Sequence, residues 1–444
     1  YSINDDSYKL NLSEFMVGGY SVFGIYYDKD MTLSCDGDVL HFRLSELAQN
    51  SVAFRQSENE IGKDINIYID ARRFYNGEGE GTADSPYIVD EAMQFANLLS
   101  GLKVKNKNIY LAFNKDIDLG SVVVGEITGV LSNIEIDGRG HTLKVGELNS
   151  FGGYSAVIPY ASNVVVKNLV LESDGVVVKR NYSGGSIKVG TLIGLGQGIK
   201  LQGIQNRVNL KVVTYEIGGA IISHYVSNLV CKLGGDCNAV DNVSNSGCVE
   251  VILNDGRNVE CYVSAYVADA GNAVIVNCVN NGEIRVYSKV APNYQTMIYA
   301  GAMANLNGGS CVFNSINYAD LKVKQLSDCW AVASGVANVI GNGVVINNVV
   351  NCGNVEVLNG QGRAFDRGFN SSINFSGDLE CSVKNAYSSI DNKAYIYDSN
   401  KKAFVKAESG AIRLLSDKEL TGGGLIKLLN ANIKEINELL ASLN

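Results

Sequence analysis

One phrase returns through the middle of this chain: an asparagine-centred apolar run, a polar turn, then a second apolar run. The copies are LQGIQNRVNLKV from Leu201, VDNVSNSGCVEV from Val240, IVNCVNNGEIRV from Ile275, VFNSINYADLKV from Val312 and INNVVNCGNVEV from Ile346. VKNLVLESDGVVV from Val166 and SVKNAYSSI from Ser382 are looser relatives. Their anchors, Asn168, Gly203, Asn242, Asn277, Asn314, Asn348 and Asn385, recur every 34 to 39 residues. A period of that length marks a stacked repeat architecture. It overrides the usual division of a long chain into separate domains, because a solenoid grows by adding coils.

The residue mixture agrees. Glycine is abundant (48), proline scarce (3), and valine, isoleucine and asparagine crowd the repeats. Such a mixture suits short strands joined by tight turns that need positive φ. Each repeat also holds a small-residue apolar run: Val189–Gly194, Ile217–Ile222, Val263–Asp269, Tyr299–Ala304 and Ala333–Val339. About three strands per repeat are therefore expected, enough for one turn of a three-sided parallel coil.

Residues 1–76 lack the repeat and read as a β-rich N-terminal domain or leader, with strands at Tyr20–Tyr27, Val39–Leu44 and Ile65–Ile69. Asn76–Thr82 is linker-like. The coil occupies residues 77–415, and residues 416–444 form a helical cap or oligomerisation segment. At the N-terminal end, Asp90 is placed to cap a short helix with Met93, Phe95, Ala96 and Leu99 as its apolar stripe. At the other end, Ser416 and Glu419 form a capping-box pattern ahead of a helix over 425–443. There Ile426, Leu429, Ile433, Ile436, Leu440 and Leu443 follow a heptad-like spacing. The helix either lies across the open end of the coil or joins copies of the chain into a homo-oligomer through these residues.

Charge excludes some function classes. With 46 acidic against 37 basic residues and no basic run, phosphate-backbone binding lacks support, so no nucleic-acid partner is expected. No stretch of 18 apolar residues predicts a membrane span. The chain opens at Tyr1 without methionine, which reads as a processed or truncated start. The ten cysteines do not recur from repeat to repeat, and Cys248, Cys278, Cys311 and Cys352 each fall in a different column, so a disulfide ladder is not expected. The local candidate for a bridge is Cys231 with Cys237, across a loop holding two glycines. There is no CxxC pair, and His41, His141 and His224 lie far apart, so no metal or cofactor is expected.

From Gly81-Thr-Ala-Asp-Ser-Pro-Tyr-Ile88 onward the chain resembles extracellular β-helix proteins with GLUG repeats. Asp116-Ile-Asp-Leu119, Ile136-Asp-Gly-Arg-Gly-His-Thr-Leu143, Asn277-Cys-Val-Asn-Asn-Gly282 and Leu415-Ser-Asp-Lys-Glu-Leu420 carry the likeness, in the family's order. The resemblance implies an all-β, right-handed parallel β-helix, secreted or at a cell surface. It transfers no catalytic residues. Departures lie in the glycine blocks (Ala300–Ala304, Ala333–Val336) and in the copies near Leu201 and Val312, which lack the turn glycine.

Several residues invite a chemical reading. Asn206, Asn245, Asn280, Asn317 and Asn351 sit at the turn of each copy, where an inward asparagine bonds its own turn and its stacked neighbours and tolerates a left-handed backbone. His141 belongs to a turn phrase. Asp116 and Asp118 alternate on one strand, suiting glycoside hydrolysis or calcium, but they too belong to the scaffold phrase. Lys211, Glu250, Arg285, Lys322 and Glu356 share a column with mixed signs, a solvent-facing charge ladder. Tyr154, Tyr160, Tyr182, Tyr225, Tyr294 and Tyr318 are expected in loops, where aromatics stack on sugars or anchor a protein. The chain is thus expected to be a non-enzymatic surface or secreted protein for adhesion, surface-layer or interaction scaffolding, contacting a glycan or protein at a cell surface. The alternatives are a polysaccharide lyase or glycoside hydrolase on the same scaffold and a self-assembling structural subunit.

Overall fold

In the computed structural model, described residues are the backbone of 7–11, 24–26, 31–36, 39–44, 48–55 and 64–71, then 78–101, 108–120, 130–180, 185–215, 222–254, 258–290, 296–325, 330–358, 368–375, 381–389, 395–398, 403–406, 412–420, 424–431 and residues 433, 434 and 437. The chain divides into two compact units, Tyr1–Gly77 and Glu78–Asn444. The first holds two antiparallel sheets. Ser7–Asn11 and Met31–Asp36 flank Val39–Leu44, and Gly24–Tyr26 and Asp64–Ala71 flank Ala48–Arg55.

The second unit is a parallel β-solenoid. One full coil runs through Ile222–Ser227, Val230–Leu233, Asn238–Asp241, Ser244–Asn245 and Val249–Leu253, and each segment pairs in parallel with its counterpart one coil on. There are thus five short segments per coil, where the sequence suggested about three longer strands. The difference lies in single left-handed residues that bend a run without ending its pairing. Every anchor of the repeat is one of them: Asn168, Asn242, Asn277, Asn314, Asn348 and Asn385, with Gly203 in the seventh place, have φ between 45° and 63°. Asparagine tolerates this conformation better than other residues with a Cβ. These corner side chains bond down the stack, Asn314 Nδ2 to Asn277 Oδ1 at 2.7 Å and Asn348 Nδ2 to Asn314 Oδ1 at 3.0 Å.

The phase of one block is corrected. Val189 and Gly190 pair with Val226 and Ser227, so the counterpart of Val189–Gly194 lies later than Ile217–Ile222, most of which falls outside the described residues.

Inward valines build the core. Val212, Val251, Val286 and Val323 stand in one register and are fully buried, each contributing about 1.5–3 kcal/mol. Their segments, with Val176–Arg180 at one edge and Val355–Leu358 at the other, form a separate six-stranded parallel sheet.

One helix precedes the coils in the sequence and another follows them. Ala92–Gly101 buries Phe95, Ala96, Leu98 and Leu99, with Phe95 edge-on to Phe113 of the first coil at 5.2 Å. Met93, placed in the apolar stripe by spacing, is instead exposed, and Leu98 takes its share of the contact. Gln94 Oε1 accepts the Asp90 and Glu91 amides, while Asp90 bonds Asn114.

The C-terminal helix Gly424–Ala431 lies on the flank of the solenoid rather than across its end. Leu425 and Leu429 pack on Ile316, Val350 and Tyr387, which are stacked neighbours on three successive coils. Asn348 Nδ2 donates to the Leu429 carbonyl at 2.8 Å. The heptad-like seam is therefore split: Leu429 faces the solenoid, Ile426 and Ile433 are exposed, and Ile436, Leu440 and Leu443 lie outside the described residues.

The suggested Cys231–Cys237 bridge is not formed; both thiols are free. Cys231 is buried with Sγ 3.5 Å from the Tyr225 carbonyl, whereas Cys237 is exposed at a left-handed corner (φ 64°) beside Asn163 and Gly198. Among the described residues no helix is long and apolar enough to cross a membrane.

Candidate functional site

The turn asparagines form an internal rail. Asn206, Asn245, Asn280, Asn317 and Asn351 are buried, and the amides of the first four each donate to the next side-chain oxygen at 2.8–3.0 Å. Their remaining groups bind their own turns, as Asn245 Nδ2 does to the Gly247 carbonyl and Gly282 N does to Asn280 Oδ1. The left-handed conformation belongs to the anchors three residues earlier. These amides are spent on the scaffold and face no solvent.

The acids and the histidine also bond the scaffold, Asp116 across to the next coil and Asp118 within its own turn. Asp116 Oδ1 accepts the Thr142 amide at 2.7 Å and stands 3.5 Å from His141 Nδ1. Asp118 Oδ1 accepts the Gly120 amide at 2.7 Å, closing an Asx turn, and Oδ2 lies 3.5 Å from Lys144 Nζ. Among the described residues no group of three or more His, Cys, Asp or Glu side chains is placed to hold a metal ion. The column Lys211, Glu250, Arg285, Lys322, Glu356 is in continuous register on the outer side of the six-stranded sheet, with Lys211 Nζ 2.6 Å from Glu250.

Another face carries the tyrosines. In Ile222–Ser227, Val259–Ser264 and Thr296–Gly301, side chains alternate: His224, Cys261 and Ile298 point inward and are buried. Tyr225, Tyr262 and Tyr299 point outward in exact register, their rings stacked at 4.9 Å with interplanar angles of 7° and 8°. Lys232 Nζ lies 5.3 Å from the Tyr225 centroid and is paired with Asp269, itself 5% exposed. The row continues toward the first coils. Lys188, in register with Tyr225, sits 4.7 Å over the Tyr154 ring, which meets Tyr160 edge-on at 5.2 Å. Ser223 and Glu260, bonded at 2.9 Å, form a parallel polar line.

Burial raises the pKa of the Tyr262, Tyr225 and Tyr154 phenols, with neighbouring Glu260 adding to the effect at Tyr262 and Asp269 at Tyr225. These groups stay protonated at any physiological pH and serve as hydrogen-bond donors and acceptors. At Lys232 burial works against the charge, but the hydrogen bond it donates to Asp269 and the attraction of that carboxylate together outweigh burial and raise its pKa.

Of the tyrosines expected in loops, Tyr225, Tyr154 and Tyr160 lie instead in strands of this face, with Tyr154 buried. Tyr318 is exposed elsewhere, and Tyr182 and Tyr294 lie outside the described residues. Tyr262 and Tyr299 were missed, although Tyr225, Tyr262 and Tyr299 recur at one constant interval.

No protein-family model matches the chain, and no curated protein matches it. Among solved structures it is similar to a proposed immunoglobulin A1 protease from Bacteroides ovatus, with 15% identity, 80% of this chain and 90% of that one covered, and a TM-score of 0.42. It is also similar to an IgA1 protease, with 14% identity, 83% and 26% covered, and a TM-score of 0.43.

Proposed function

We propose that this chain is a non-enzymatic β-solenoid scaffold, secreted or displayed at a cell surface, that binds a linear glycan along the tyrosine face. The observation that carries this reading is the rung-spaced row Tyr225, Tyr262, Tyr299 beside the Lys232–Asp269 pair. Because the rings cover one another's faces, they offer a ligand their edges and hydroxyls. That presentation favours hydrogen bonding to a chain of hydroxyls running along the solenoid axis over stacking on single sugar rings. The GLUG-like order of blocks from Gly81 to Leu420 supports the extracellular setting.

The test is glycan-array and whole-cell binding of the purified chain. Tyr262→Phe keeps the stack and removes one hydroxyl; Tyr262→Ser removes both. Binding should fall in that order, by about tenfold for the second, as expected for loss of one or two hydrogen bonds with their packing. Equal binding by all three proteins refutes the assignment of this face. Release of new sugar ends from a polysaccharide by the pure protein refutes the non-enzymatic reading.

A further inference from the structure

We infer that the first strand of the six-stranded sheet, Val176–Arg180, is a docking edge for an extended peptide of a protein partner. This surface and this partner class are independent of the tyrosine face. Val176–Arg180 pairs in parallel with Leu210–Thr214 on one side, and among the described residues no strand pairs with its other side. The Val176 amide donates to the Asn209 carbonyl at 2.8 Å. In a parallel ladder successive residues turn their N–H and C=O groups to opposite sides, so those of Val177 and Lys179 face away from the sheet. They face a cleft of about 590 Å³ lined by Asp118, Lys144, Glu147, Ser155, Asp174 and Val176–Lys179.

The cleft exists because the coil below takes another course. After Thr142–Lys144 the chain turns at Gly146, where an added Cβ would meet Gly120 Cα at 2.7 Å. It then forms the antiparallel hairpin Asn149–Phe151 and Tyr154–Ala156 instead of a strand beneath Val176–Arg180.

A second observation points to an occupant. Val178 stands in register with Val212, and through it with Val251, Val286 and Val323, all fully buried, yet Val178 itself is only half-buried and Val177 is 53% exposed. An inward core position is thus open on the cleft side. Only another backbone in extended conformation presents donors and acceptors at the repeat these groups need, while covering Val178 with a side chain. Charge narrows the partner. Asp118, Glu147 and Asp174 outnumber Lys144 and Lys179, and Lys144 is already held by Asp174 at 2.7 Å and Asp118 at 3.5 Å. The cleft fits a β-forming segment with basic residues at its start.

The probe is a synthetic end-blocked peptide copying residues 207–214, Arg-Val-Asn-Leu-Lys-Val-Val-Thr, the natural neighbour of this edge on its other side. Calorimetry and hydrogen exchange on the full chain should show saturable binding and new protection of the Val177 and Lys179 amides. The peptide with proline in place of its second-last valine, Val212→Pro, should bind about tenfold more weakly. So should the chain variant Val177→Pro, whose missing N–H faces the cleft, whereas Val177→Ala should bind as the parent does. Protection of both amides before peptide is added would show the edge already covered by the chain itself and overturn the proposal. Equal binding of the parent and proline peptides would overturn it whether or not the chain variant folds.

Discussion

Asn280 shows what a single recurring letter does in this fold. It is fully buried, receives a hydrogen bond from Asn245 and gives one to Asn317, both at 2.8 Å, and its oxygen also accepts the Gly282 amide. Asn280→Ala should cost about 2–4 kcal/mol, since it strands buried polar groups on two neighbouring coils as well as its own turn. Chemical denaturation of the variant measures this. The cysteines give a second prediction. Burial pushes the Cys278 thiol up to about 12 and raises that of Cys231 as well, while Cys237 is exposed. Under native conditions at pH 8 a thiol reagent should label Cys237 and spare Cys231 and Cys278; mass spectrometry of the digested protein reads the outcome. Labelling of all three at one rate would mean that the chain opens locally around Cys231 and Cys278.

At the scale of elements, the C-terminal clamp was the most legible piece and its destination the least. The Ser416 and Glu419 pattern forms one arm of its capping box, on the short helix Asp417–Leu420 rather than at the start of the next one. Glu419 Oε2 accepts the Ser416 amide at 2.9 Å and the hydroxyl at 2.8 Å, and Oε1 accepts Arg413 Nη2 at 2.7 Å. The Glu419 amide bonds the Ser416 carbonyl instead of its hydroxyl. The Arg413 hydrogen bond, then those from Ser416, lower the Glu419 pKa from 4.5 to about 2. A depressed carboxylate stabilises the fold above its unfolded pKa, and that contribution is lost as pH falls through the folded value. The clamp should therefore hold through pH 4 and release toward pH 2. Arg413→Ala should move the titration midpoint of Glu419, read by NMR, back toward 4.5; an unmoved midpoint would mean the ion pair does not form. Where the following helix goes could not be read from its heptad-like spacing. Ile316, Val350 and Tyr387 are far apart in sequence and become one apolar strip only when three coils are stacked, and that strip takes Leu425 and Leu429.

At the scale of the whole molecule, stability in a solenoid is nearly one-dimensional, each coil resting on its two neighbours. Identical side chains at one interval therefore become ladders: amide on amide inside, charge on charge along one outer sheet, ring on ring along another. The coil and its period are legible in the repeat alone, because a left-handed bend admits few residues and leaves asparagine or glycine as its mark, although the bend falls at the anchors and not at the turn asparagines three residues later. The repeat also marks the turn asparagines as part of the scaffold. The remaining features arise from how the coils stack. A period says nothing about which outward positions share a face, so the row Tyr225, Tyr262, Tyr299 emerges from the register of strands 37 residues apart. Nor does it show where one coil departs from its neighbours, as the hairpin Asn149–Ala156 does beneath Val176–Arg180. Ladders follow from local chemistry repeated; faces, flanks and open edges follow from how the coils are stacked.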